Sequence, residues 1–317
     1  MKTGGTGVRT LRGALPGNRL SGSGLGWVPY LIPALAFYVL FMAWPLLDSL
    51  RLSFYTGSAG LGRVFAGFEN FRKLFTEERY SQRYWGAFGH TLYFFLIHLA
   101  VQNVLGIFFA VLLTRPSMRG RVFYQTVIFM PVTFAVLVTG YLWKLLLNPV
   151  WSGPFLKGLG AGFLVRPWLG DRATALTVVS LVSCWQWIGI PCMMFVAALR
   201  NISNDYLEAA LIEGAGGWQV FWRIKLPLIK PVAGMIAILT FVNNFNAFDV
   251  VFAMENVNGA PNYATDLMGT LFYRVGIAGQ HPVGIPDPGL GAAIAAITFF
   301  VLCVGVIPTL RATQGRD

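Results

Sequence analysis

Few residues in this chain have the side chains or the spacing for bond-making chemistry. It holds three histidines (His90, His98, His281) and three cysteines (Cys184, Cys192, Cys303). No C-x-x-C, H-E-x-x-H or G-x-x-x-x-G-K-[ST] occurs, not even a Gly-Lys dipeptide, and no D-x-x-x-D or D-D pair could hold a metal. No catalytic residue, metal site or cofactor is expected, and the thiols read as buried and inert. The chemistry on offer is recognition. Asn243, Asn244, Asn246 and Asp249 interrupt an apolar run, with Phe245 and Phe248 beside them. Amides and a carboxylate next to aromatic rings suit a sugar, whose hydroxyls take bidentate partners and whose C–H faces stack on rings. Asn243, Asn246 and Asp249, spaced at i+3, trace a slowly turning polar stripe. Such groups are costly in hydrocarbon; either they face a solute path or they bond neighbouring helices. Trp185, Gln186 and Trp187 pose the same choice. The candidate substrate-path residues are Asn243, Phe245, Asn246, Asp249, Trp185 and Gln186.

The elements that carry these residues are membrane helices. Of the 317 residues 56% are apolar and 12% charged, with a mean hydropathy of +0.61, whereas soluble domains run near ~25% charged. Apolar stretches long enough to cross a ~30 Å hydrocarbon core recur at 28–50, 91–114, 122–147, 173–199, 229–253 and 289–310. The fold class is therefore an all-α polytopic membrane protein of about six spans. Pro131 and Pro191 fall inside spans three and four, where they should kink the helices. Residues 65–75 have apolar side chains at helical spacing and are expected to lie as an amphipathic helix on the membrane. Loop 148–172 reads as an interfacial turn. Loop 254–288 reads as a turn cluster, a short apolar stretch (267–273) and a Pro-rich segment.

The domain organisation is a basic flexible tail over 1–27, a transmembrane domain over 28–311 and a short tail over 312–317. The first tail is too polar and too long for a signal-peptide n-region, so the first span is expected to remain as an anchor. The 1–27 tail carries Lys2, Arg9, Arg12 and Arg19, loop 115–121 carries Arg115, Arg119 and Arg121, and neither has an acid. The positive-inside rule puts both, with loop 200–228 and the C-terminus, in the cytoplasm. Loop 51–90 argues the other way with six basic residues, but it is longer and also carries Glu69, Glu77 and Glu78. The net charge of +11 thus answers to topology and anionic lipid, a membrane partner and not nucleic acid.

One polar segment stands apart. In 203–228, Glu208-Ala209-Ala210 is followed after three residues by Gly214, and after nine more by Ile224, then Leu226-Pro227. Ser203, Asn204 or Asp205 supplies an N-cap and the glycines at 214, 216 and 217 a break. The expectation is a helix over about 205–213 and a second over about 219–225, ended by Pro227. Ala209 and Ala210 would let another protein surface approach, Leu207, Leu211 and Ile212 supply apolar contact, and Glu208 offers a carboxylate.

That spacing, EAA-x3-G-x9-I-x-LP, resembles the cytoplasmic coupling motif of ABC importer permeases. From about residue 28 the whole chain is similar to that family, and most to its carbohydrate branch of maltose and glycerol-3-phosphate permeases. Phe65–Phe71 (F-x-G-F-x-N-F) looks like the branch's first external loop, 243–266 like its fifth-span segment, and 290–300 like its small-residue sixth span. Two departures, Glu213 before the glycine and the 257–261 turn, leave the coupling spacing intact but blur the substrate subfamily. The resemblance implies a permease subunit of an ATP-driven, binding-protein-dependent sugar importer in a bacterial or archaeal inner membrane. It would pair with a second homologous permease, two nucleotide-binding ATPase subunits that hold ATP and Mg, and an extracytoplasmic solute-binding protein. Glu208, Ala209, Ala210, Gly214, Ile224, Leu226 and Pro227 would couple to the ATPase.

Other readings are a permease for a non-sugar solute, an ion-coupled secondary transporter and a membrane-embedded sugar transferase. The coupling motif speaks against the second, and the missing acid pair against the third.

Overall fold

The computed structural model describes residues 28–57 and 62–314; the expected 1–27 tail lies outside them, as do 315–317. By packing, the chain divides into Met1–Asp48 and Ser49–Asp317, and every contact described below lies within the second unit. Among the described residues four helices are each long and apolar enough to cross a membrane: α1 (Pro29–Leu52), α3 (Glu78–Leu113), α10 (Gly217–Phe245) and α13 (Pro288–Gln314). Two bent helix pairs are, each taken together, long and apolar enough to make a further span. α4 (Arg121–Thr133) meets α5 (Val136–Leu146) at 96°, and α7 (Ala175–Trp187) meets α8 (Gly189–Arg200) at 46°.

Both bends follow from proline and from who takes up the carbonyls it frees. Pro131 sits in the tight 3₁₀ turn Met130–Thr133, after which Phe134 and Ala135 are extended. The Phe134 carbonyl, left out of the ladder, accepts from Gln186 Nε2 at 3.0 Å. Pro191 has no N–H for the Trp187 carbonyl four residues back, and Gln102 Nε2 from α3 turns to that oxygen at 3.5 Å. Gly189, at the second bend, lets α8 press on α4: a Cβ there would come within 3.0 Å of Phe129 Cα and Val132 Cγ2.

The fifth span departs from the expected 229–253. It begins twelve residues earlier, at Gly217, and stops at Phe245. Asn244 Nδ2 donates to the Thr240 carbonyl and Asn246 Nδ2 to the Val242 carbonyl. Both bonds reach back four residues and offer the backbone an alternative to continued helix. The chain then breaks and restarts as the short α11 (Asp249–Glu255). The three i+3 positions therefore do not lie on one helix.

The connections are more helical than the sequence suggests. The hairpin β1 (Tyr55–Thr56) and β2 (Val64–Phe65) leads to α2 (Glu69–Thr76). Part of the apolar side of α2 is spent within the protein, where Phe71 and Leu74 pack into a core with Tyr84, Leu271 and Ile294, while Phe75 stays exposed. Buried Asn70 donates to the Ser53 and Tyr55 carbonyls. The expected 148–172 turn contains α6 (Pro149–Gly158), started by Asn148, whose Oδ1 caps Val150 N at 2.9 Å, and by Pro149 at the first helical position. The remaining helices are α9 (Asn204–Ile212) and α12 (Met268–Tyr273), the latter continued by a π turn over Arg274–Ala278.

Candidate functional site

A cavity of about 370 Å³ opens where the bent spans meet the broken one. The second span contributes Phe94, His98 and Gln102; the last two bracket a π turn (His98–Gln102) inside α3, a distortion often found at functional sites. Ser183 and Trp187 come from α7, Pro191 and Met194 from α8. Asn243, Asn246, Phe248 and Asp249 surround the break between α10 and α11. Asn246 lies in the break and Asp249 at the restart of the chain as α11, and both line the wall.

Bonds between helices hold the wall. His98 Nδ1–H donates to the Phe94 carbonyl at 2.8 Å, so Nε2 accepts from the Ser183 hydroxyl at 2.9 Å. Asn103 Nδ2 donates to Thr240 Oγ1 at 3.1 Å, tying α3 to α10. Gln102 Oε1 is buried and has no partner.

The expected path residues divide. Asn243, Asn246 and Asp249 line the cavity; Phe245, Trp185 and Gln186 do not. Phe245 is 2% exposed and packs on Phe241 and Phe88, ring centroids 4.7 and 6.1 Å away. Trp185 faces outward against Trp143, and Gln186 is spent on the Phe134 carbonyl. The sequence reading missed His98, Gln102 and Ser183. The signal was there for two of them: a histidine and a glutamine four residues apart in an apolar span share one face.

The coupling segment forms two arms. Ser203 Oγ caps α9 through Asp205 N at 3.2 Å. The helix ends in a Schellman motif: Gly214 N bonds to Leu211 O and Ala215 N to Ala210 O, with Gly214 at φ +76°. Glu208, Ala209, Leu211 and Ile212 face outward, whereas Ala210 turns inward at 7% exposed. The second arm is not the short helix expected. It is the start of α10, which runs on past Pro227. A π turn over Phe221–Lys225 has Leu226 N donating to Phe221 O, five residues back. Pro227 thereby falls where the α-helical ladder begins again and its missing N–H breaks nothing. Ile224 and Leu226 are half-buried and Pro227 is exposed.

The family model described as "binding-protein-dependent transport system inner membrane component" matches residues 102–311. The chain belongs to this family. A probable ABC transporter permease protein of Pyrococcus horikoshii is 32% identical over 74% of the chain and 82% of its own length. An sn-glycerol-3-phosphate transport system permease protein of Escherichia coli is 30% identical over 92% and 95%. The lactose transport system permease protein LacF of Rhizobium radiobacter is 28% identical over 92% and 94%. Among solved structures, a chain of a bacterial ABC transporter involved in alginate import superposes with TM-score 0.75 at 20% identity, over 91% of this chain and 95% of that one. That likeness speaks to the fold. The chain is thus a polytopic membrane permease of the binding-protein-dependent type.

Proposed function

We propose that this permease is the transmembrane subunit of an ATP-driven importer for a sugar or related solute, forming half of the translocation path by alternating access. The observation that carries the reading is the amide- and aromatic-lined cavity at the break of the fifth span, bordered by Asn243, Asn246, Phe248 and Asp249. Its size suits a small solute, and curated relatives bear the names of lactose and sn-glycerol-3-phosphate transport systems. The partners are a second homologous permease, two nucleotide-binding ATPase subunits and an extracytoplasmic solute-binding protein, with lipid around the spans. ATP and Mg are held by the ATPase, not by this chain.

Coupling runs through the two arms. The outward Glu208, Ala209, Leu211 and Ile212 seat in the ATPase, and the second arm is continuous with α10, whose far end lines the cavity. A displacement of the arm is therefore transmitted along one rigid helix to Asn243 and Asn246. ATP drives the change only by binding the closed ATPase pair preferentially, a shift of population between two states.

Two experiments test this. The tagged permease should co-purify with an ATPase and a second permease, and deleting its gene should abolish uptake of one carbohydrate; a protein that purifies alone and whose loss spares all carbohydrate uptake would refute the reading. Orientation is read separately, with single cysteines at Ser117 and Ser152 in a background lacking the three native thiols. An impermeant reagent on intact cells should label position 152 and spare 117; the reverse would put the coupling arms on the wrong side.

A further inference from the structure

The relatives divide over charge: a lactose system handles a neutral sugar, a glycerol-3-phosphate system an anion. The cavity wall bears on that division. Its one acidic side chain is Asp249, and among the described residues no lysine or arginine lines it. Asp249 makes no ion pair with any described residue. Gln102 is spent on structure: it is 7% exposed, its amide nitrogen donates to the Trp187 carbonyl, and its oxygen is enclosed by the protein. His98 bonds as the neutral tautomer, its Nδ1–H on the Phe94 carbonyl and its Nε2 accepting from Ser183. The wall thus presents one charged group, a carboxylate that only accepts hydrogen bonds, beside the Asn243 and Asn246 amides.

The part of the ligand that meets Asp249 must bring donors. Hydroxyl groups donate, whereas an ionised phosphate or carboxylate only accepts and is repelled by Asp249. We propose that the solute is a neutral polyhydroxyl compound, a sugar or polyol. Asp249 rejects its phosphorylated or uronic-acid counterparts and accepts a hydrogen bond from one of its hydroxyls. This rests on the cavity being the path of a carbohydrate importer.

The test is equilibrium binding to the assembled permease–ATPase complex in lipid nanodiscs, with the solute-binding protein left out so that its own selectivity does not intrude. The probes are matched pairs at millimolar concentration: glycerol and glycerol 3-phosphate, glucose and glucose 6-phosphate, mannitol and mannitol 1-phosphate, cellobiose and its uronic-acid counterpart. The tightest binder should be neutral and exceed its charged counterpart at least tenfold. Asp249→Asn should shrink that ratio about tenfold, and Asp249→Glu should keep it. A charged member that binds wild-type complex as well as its neutral counterpart overturns the inference and leaves carbohydrate import standing, even where the variants fail to assemble. If no carbohydrate probe binds, the parent reading falls with it.

Discussion

Arg274 and Asp266 meet with both carboxylate oxygens engaged, Nη1 on Oδ1 at 2.9 Å and Nη2 on Oδ2 at 2.5 Å, and neither side chain is more than 2% exposed. The guanidinium also donates to the His281 and Val257 carbonyls, so one side chain ties three stretches of the 254–288 connection together. A buried pair of this kind is costly to break because the survivor keeps an uncompensated charge. Asp266→Ala or Arg274→Ala should each lose about 3–5 kcal/mol of stability, whereas the apolar double replacement Asp266→Leu with Arg274→Met should recover most of it. Thermal unfolding of the solubilised complex measures this; equal losses in single and double variants would show that the pair holds nothing together.

A second buried carboxylate has no such partner. Glu255, just past the fifth span, is 6% exposed, with Oε1 unbonded, and burial pushes its pKa up to about 7 although the Lys144 charge pulls it down. The folded chain therefore holds this proton where the unfolded chain, near 4.5, has released it. The stabilisation is complete below about pH 4.5 and is lost as pH rises to about 7, beyond which it is flat. Glu255→Gln should remove that slope between pH 5 and 7 and raise stability at pH 8. A wild-type slope unchanged by the substitution would mean that another group titrates.

The coupling arms give a prediction that depends on conformation and not on space. A Cβ at Gly214 would meet nothing within 4 Å, but its φ is +76°, where a β-branched side chain costs roughly 1–2 kcal/mol or more. Gly214→Val should unseat the Schellman turn and so misdirect α9, and Glu208→Lys should reverse the charge offered to the ATPase. Both should abolish uptake and ATPase co-purification while the protein still inserts; Gly214→Asn, which tolerates this φ, should retain most of the activity. Normal uptake in Glu208→Lys and Gly214→Val would remove the coupling assignment.

Much of the architecture was legible because its signals are local. The helix of the first arm, its Ser203 cap and its Gly214 stop are written within twelve residues, and Pro131 and Pro191 mark both bent spans. What escaped depends on partners far along the chain. Gln186 looks like a path residue until Phe134, 52 positions away, claims its amide. Pro227 looks like a stop until the π turn before it shifts the ladder. Arg274 ends an apolar stretch and gives no sign of the carboxylate eight residues earlier that buries it.

At the end of α10, two residues that the sequence had grouped part ways. Asn243 lines the cavity and, among the described residues, its side chain bonds to no other helix. Truncating it removes a hydrogen-bond partner from a partly desolvated site, worth roughly 1–3 kcal/mol, or about five- to a hundred-fold in affinity. Asn243→Ala should therefore raise the solute concentration needed for half-maximal uptake and leave complex yield alone. Phe245 lies behind the wall, its ring wedged between Phe241 and Phe88. Phe245→Ala opens a void there and should cost about 3–5 kcal/mol of stability, lowering yield and melting temperature without changing which solutes compete. The pair of variants separates contact from packing, since each moves the readout that the other leaves still. Should Phe245→Ala alter solute preference at full yield, or Asn243→Ala lower yield with unchanged uptake kinetics, the cavity wall would have to be redrawn around the aromatic side chain.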